Sequence, residues 1–284
     1  MDREVQRKTI RLHIIEGLTY LFLIVFSILW LIPAFWIVIT SVKPDEFIYG
    51  SKALLPEYYT LEQYRTAIMD TTLPRNFFNS TVVALSTVLV SLVVGSLGAY
   101  AASRIDFRFK TISLLAILMT RMIPGIASIV PIYLLASTFK LLDTYWILIL
   151  VYSAWMAPFA LWLILGFFNA IPTELDNAAI LDGYSRFQAF YKVVLPLSKP
   201  GLAAAAIVTF IFAWNEVILA TVLITDESMK TIPLLLILTQ KPMLGIDWGQ
   251  LAAIGTIATV PIVIVFLILQ SQLIAGLTEG ATKG

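Results

Sequence analysis

Six long apolar runs, at 18–39, 77–102, 111–136, 145–170, 200–224 and 251–274, constrain this chain more than any motif does. A run of roughly 20 such residues crosses a bilayer core as a helix, and in lipid a helix satisfies its own backbone hydrogen bonds. A transmembrane barrel would show short alternating segments instead. Only 13% of the residues are charged, against about a quarter in soluble domains, too few to coat a globular surface. The fold class is therefore an all-α membrane protein with about six transmembrane helices, read as a single domain over 1–284.

The first run follows a basic segment holding Arg3, Arg7, Lys8 and Arg11 and is too long for a signal-peptide core, so it reads as a retained span. Lys and Arg concentrate on the side that includes the N-terminus, most clearly Arg104, Arg108 and Lys110 in one short turn. By the positive-inside rule both termini are cytoplasmic. The loops 40–76 and 225–250 then lie outside, and the second contains the apolar tip Lys241–Ile246. Gly95 and Gly98 read as close contacts between helices, and Pro261 as a kink in the last run.

Several functions are excluded. There is no cysteine and one histidine, His13, and no aspartate falls inside an apolar run. A thiolate metal site, a cysteine nucleophile and an intramembrane aspartate pair are thus absent. No Gly-x-x-x-x-Gly-Lys-[Ser/Thr] loop is present, so the chain is not expected to hydrolyse ATP. A net charge of +1 without a basic cluster gives no sign of nucleic acid binding.

The cytoplasmic stretch 171–199 is the least membrane-like of its length. Pro172 and Thr173 open a helix, with Glu174 and Asp176 favourable in its first turn. Gly183 closes it, and Ser185 with Gln188 forms a capping box for a second helix. Phe187, Phe190, Tyr191 and Val194 give that helix an apolar face, and Pro196 and Pro200 are expected to stop it. The product is a compact docking element.

Within it, Ala178-Ala179, Asp182-Gly183 and Val193-Val194-Leu195-Pro196 resemble the EAA loop of ABC importer permeases, with Asn177 and Val193 departing from the usual glutamate and isoleucine. Phe212-Ala-Trp214-Asn215-Glu216, Asp247-Trp-Gly249 and the Gly276-Leu-Thr-x-Gly-Ala-x-Lys-Gly284 tail resemble the carbohydrate-uptake branch, in particular its maltose-type second permease. The resemblance implies a cytoplasmic coupling helix in which Asn177, Ala178, Ala179, Asp182, Gly183, Phe187, Leu195 and Pro196 meet a separate ATPase. It implies that the tail residues Thr282, Lys283 and Gly284 also reach that ATPase. The implied partners are a second homologous permease, an ATPase dimer that binds the ATP and Mg, and an extracytoplasmic sugar-binding protein. The chain itself would bind no cofactor. Its expected place is a bacterial or archaeal cytoplasmic membrane, as a subunit of a sugar or polyol importer. The alternative, a secondary transporter or channel without an ATPase, leaves the 171–199 element unexplained.

Two ionisable residues, Arg121 and Glu216, fall inside apolar runs. Each is costly in hydrocarbon and should face a partner, a cavity or an interface. Either they line the translocation path, together with Asn215, or they hold helices together near the membrane edges. Whether they pair with each other is open at this point.

Overall fold

The computed structural model of the chain describes residues 2–50, 55–69, 71–241 and 245–281. The chain divides into two compact units, Met1–Asp70 with Lys241–Ile257, and Thr71–Gln240 with Ala258–Gly284.

In the first unit, α1 (Asp2–Ser41) carries large apolar side chains that are exposed from Ile14 to Val38, Trp30 at 71%. A helix that is apolar on every face and left uncovered by its own chain suits lipid or another membrane helix. Two short helices follow, α2 (Asp45–Tyr49) and α3 (Glu62–Met69). They turn part of the expected external loop into an ordered block. The Ser41 hydroxyl bonds to the Val38 carbonyl at 2.6 Å and to the Tyr64 hydroxyl at 2.7 Å. Gln63 donates to Asp45 at 2.6 Å, and the buried Lys43 lies 4.7 Å from the Trp36 ring centre. The Tyr49 hydroxyl donates to the Ile246 carbonyl at 2.8 Å.

The second unit is a helical bundle. Its elements are α4 (Leu73–Arg104), α5 (Lys110–Thr120), α6 (Gly125–Thr138), α7 (Tyr145–Ala170), α8 (Thr173–Leu181), α9 (Arg186–Ala189), a π turn at Phe190–Val194, α10 (Leu195–Leu197), α11 (Lys199–Asn215), α12 (Ile218–Leu223) and α13 (Ile232–Leu238). Helix α14 (Trp248–Ala281) starts in the first unit and runs on through Pro261 without interruption.

Helices α4 and α7 form the core pair. A Cβ on Gly95 would sit 2.9 Å from the Ala160 Cβ, and one on Gly98 would sit 2.7 Å from Leu161 Cδ1. Glycine is thus what lets the two helices approach, as the sequence indicated. Ala99, Ala160, Ile164, Phe168 and Ala205 continue the buried seam towards the Arg104 end of α4.

Among the described residues four helices are long and apolar enough to cross a membrane: His13–Ser41, Leu73–Arg104, Tyr145–Ala170 and Trp248–Leu273. Two bent pairs, Lys110–Thr120 with Gly125–Thr138 and Arg186–Leu197 with Lys199–Asn215, bring the number up to six if each pair counts as one span. The run 111–136 is not the single helix expected. Its halves α5 and α6 meet at 92° across Arg121–Pro124. Pro124 lacks an N–H and pushes Ile123 out of the helical region, a signal already present in the sequence. The run 200–224 is also divided, α11 ending at Asn215 and α12 starting at Ile218. No proline or glycine marks that second break. Glu216 makes it possible by supplying the hydrogen bonds that the interrupted backbone loses.

On the side read as external, the second loop is fastened to α4. Asn76 and Asn79 donate to the Lys230 carbonyl at 3.0 and 2.8 Å, and Ser80 accepts from the Ile232 amide at 2.9 Å. The 141–144 turn joins in through Asp143, a positive-φ residue (φ 57°). Its carboxylate accepts from the Thr225 and Asp226 amides at 2.5 and 2.8 Å and from the Thr225 hydroxyl at 2.9 Å. Burial opposes its ionisation, but the Asp226 and Thr225 donors outweigh that effect and hold the carboxyl below its ordinary value.

Candidate functional site

The element after α7 is built much as its sequence suggests. Pro172 caps α8 in extended conformation, and the Ser185–Gln188 capping box is complete, with Ser185 N donating to Gln188 Oε1 at 2.8 Å. Gly183 has φ +90°, and the Tyr184 amide returns to the Ala179 carbonyl at 3.0 Å. That is the left-handed helix stop that glycine provides without steric cost.

Two expectations change. Pro196 does not stop the second helix; helical turns continue through it to Leu197, and the direction changes by 78° only at Ser198. The five-residue π turn at Phe190–Val194 precedes it, with Leu195 N donating to Phe190 O. A proline ring clashes with the carbonyl four residues back, and the wider turn relieves that clash. The assumed apolar face also splits. Phe190 (5% exposed) and Val194 (0%) are buried, whereas Phe187 (64%) and Tyr191 (44%) point outward.

Phe190 is the plug that joins the element to the membrane helices. Its ring lies 4.9 Å from that of Tyr100 on α4 and 6.4 Å from that of Phe168 on α7. Beside it is an ion pair that sequence reasoning missed. Arg104, the last residue of α4, donates from Nε to Asp176 Oδ2 at 2.6 Å, from Nη1 to the Phe168 carbonyl at 3.2 Å and from Nη2 to the Ile171 carbonyl at 2.9 Å. Tyr100 donates to Asp176 Oδ1 at 3.3 Å. One guanidinium therefore covers the carbonyl end of α7 and meets the acid in the first turn of α8, both favourable for the helix dipoles. From sequence alone Arg104 reads as a topology charge and Asp176 as a helix-start acid; only the fold brings them together.

The opposite face is open. Leu175, Ile180, Leu181, Tyr184, Phe187 and Tyr191 are exposed, Leu181 at 88%. Of the residues named from the sequence, Asn177, Ala178, Asp182, Gly183, Phe187 and Pro196 lie on the exposed surface. Ala179 is buried and Leu195 half-buried, so these two pack the element rather than present it. Thr282, Lys283 and Gly284 lie outside the described residues, as do residues 242–244 of the 241–246 tip.

The intramembrane charges do not meet each other. The Glu216 carboxylate accepts from the Leu219 and Ala220 amides at 2.8 and 3.1 Å, capping α12, and from the Tyr152 hydroxyl at 2.5 Å. Arg121 Nη1 donates to the Trp155 carbonyl at 2.7 Å. Both charges thus fasten a helix break to α7, one turn apart. Asn215 donates back to the Ile211 carbonyl of its own helix at 2.8 Å and is exposed.

Comparison with known proteins gives one answer. Residues 91–278 match the family described as "Binding-protein-dependent transport system inner membrane component". The trehalose/maltose transport system permease protein MalG of Thermococcus litoralis is 36% identical over 264 residues, 92% of this chain and 94% of that protein. The trehalose transport system permease protein SugB of Mycobacterium tuberculosis is 36% identical over 89% of this chain and 93% of its own length. A solved bacterial ABC transporter involved in import of the acidic polysaccharide alginate shares the fold, with a TM-score of 0.79 at 22% identity, covering 91% of this chain and 96% of that one.

Proposed function

The chain belongs to the family of binding-protein-dependent transport system inner membrane components, and from that premise we propose that it is one permease subunit of an ATP-driven importer for a di- or oligosaccharide or a polyol. The observation that carries this reading is the 173–197 element. It is locked to α4 and α7 by Arg104, Asp176 and Phe190, yet it exposes a row of apolar side chains headed by Leu181. A surface of that kind, on an element rigidly tied to membrane helices, suits a lever driven by a partner.

The sugar assignment draws on relatives such as those of Thermococcus litoralis and Mycobacterium tuberculosis, whose names specify trehalose or maltose. In this account an external binding protein delivers the sugar to the loops fastened by Asp143 and by Asn76 and Asn79. A second permease completes the path. A separate ATPase pair holds the nucleotide and Mg2+, and this chain carries no hydrolytic step of its own. ATP-driven closure of that pair moves the 173–197 element on the cytoplasmic side. Because Arg104 grips the ends of both α4 and α7, the motion passes to the core pair as a rigid unit and shifts the access equilibrium.

Co-purification tests this directly. Expression with its neighbouring subunits should yield a complex containing an ATPase and a second permease, whose hydrolysis rises when a sugar-loaded binding protein is added. Isolation of the chain alone, with ATP-independent transport in liposomes, would overturn the reading.

A further inference from the structure

At the α5–α6 break lies an open cavity of about 370 Å3, within the roughly 300–1,000 Å3 of small-ligand sites. Thr120, Arg121, Ser128, Ala154 and Trp155 contribute to its lining, with apolar side chains such as Leu150 making up the rest. Both hydrogen bonds of Arg121, to the Trp155 carbonyl at 2.7 Å and to the Met156 sulfur at 4.0 Å, come from Nη1. Nε and Nη2 make none among the described residues. A guanidinium offers only donors. Ser128 donates to the Gly125 carbonyl at 2.7 Å and Thr120 to the Ile117 carbonyl at 2.7 Å, which leaves both hydroxyl oxygens as acceptors. Trp155 is braced against Gly125, where a Cβ would lie 3.0 Å from the indole, so its ring is held in place.

We propose that this cavity is a saccharide-contact site of the present subunit, a proposal that rests on the importer reading. The indole offers a flat apolar surface to the C–H face of a sugar ring. The spare guanidinium N–H groups donate to ring or hydroxyl oxygens, and the hydroxyls of Ser128 and Thr120 accept. A cation is costly inside a membrane unless a polar cavity or partner receives it, and here the cavity and the charge coincide. The break serves the same end, because it brings an arginine and an indole together beside an open space that a continuous helix would fill.

Because the chain contains no cysteine, the test can use single introduced thiols in the complete importer. Wild-type hydrolysis is first measured with trehalose, maltose and diacetylchitobiose, and the stimulating sugar becomes the probe. Ser128→Cys, with Ala154→Cys as a second variant should the first fail to assemble, is then treated with charged methanethiosulfonate reagents. The control is Val130→Cys, exposed on α6 but outside the cavity lining. Expected results are labelling about tenfold faster in the cavity than at the control, a preference for the anionic reagent that Arg121→Gln removes, and protection of about fivefold or more by the sugar during turnover. Stimulation by a sugar, with cavity labelling no faster than the control or without protection, overturns the site and leaves the importer reading intact. An anionic preference that persists in Arg121→Gln removes the guanidinium from the site. If none of these sugars stimulates hydrolysis and the chain purifies without an ATPase, the importer reading falls and the site falls with it.

Discussion

Arg104 Nε lies 2.6 Å from Asp176 Oδ2, and both side chains are only 7% exposed. This pair connects the last residue of α4 to the first turn of α8. Removing one partner of a buried pair leaves the other charge uncompensated, at a cost of about 3–5 kcal/mol. Arg104→Leu and Asp176→Leu should each lower the thermal midpoint of the detergent-purified protein and abolish uptake. The double variant should recover much of the stability but not the transport. Recovery of both would mean that the pair only fills space.

Gly183 occupies φ +90°, and an added Cβ would meet nothing within 4 Å. Space is therefore not limiting, and backbone strain is the only structural penalty, on the order of 1–2 kcal/mol for alanine. Aspartate and asparagine tolerate this conformation better than alanine does. Gly183→Asn should retain much of the uptake, whereas Gly183→Asp should abolish it by placing a charge on the docking face while the protein still reaches the membrane. Quantitative immunoblots of membranes beside sugar uptake check this. Wild-type transport in Gly183→Asp would remove the coupling role.

Gly95 faces the Ala160 Cβ and the Leu161 backbone nitrogen, 2.9 and 3.0 Å from where its own Cβ would be. Neither neighbour is the end of a flexible side chain. Gly95→Ala should cost about 1–3 kcal/mol, and Gly95→Leu should prevent stable α4–α7 packing. Gly166→Ala, at a position with nothing within 4 Å, is the control and should leave the thermal midpoint nearly unchanged.

Asp143 gives a pH dependence of known sign. Its carboxyl is held below the ordinary value in the folded chain by the Thr225 and Asp226 donors, against about 3.9 unfolded. Its contribution is whole above the unfolded value and is lost as pH falls through the folded one. The difference in thermal midpoint between wild type and Asp143→Asn should be largest above about pH 5 and shrink below about pH 4. A difference that is constant across that range would show that the carboxylate is not what fastens this turn.

The helical architecture was legible because length and apolarity act locally. So was the 171–199 element, whose Pro172 start, Gly183 stop and Ser185–Gln188 box are all short-range signals that the structure reproduces. The break at Arg121–Pro124 had its signal too, in Pro124 and Gly125, but the apolar run on either side masked it. The break at Glu216 had none beyond a polar pair in an apolar run, because it depends on a carboxylate reaching the Tyr152 hydroxyl 64 residues away. The Arg104–Asp176 pair, 72 residues apart, was hidden for the same reason. The outward turn of Phe187 and Tyr191 follows from the π turn and from the depth at which Phe190 plugs the bundle, which are tertiary properties.

Leu181 provides the most direct test that the 173–197 element couples this chain to an ATPase. It is 88% exposed, so Leu181→Glu has little to disrupt within the chain itself. The complex should be purified from membranes in wild-type and variant form, and its ATPase content and sugar-stimulated hydrolysis measured together. The variant should reach the membrane and keep its second permease but lose the ATPase and all uptake. An ATPase retained in full, with wild-type stimulation by sugar, would contradict it.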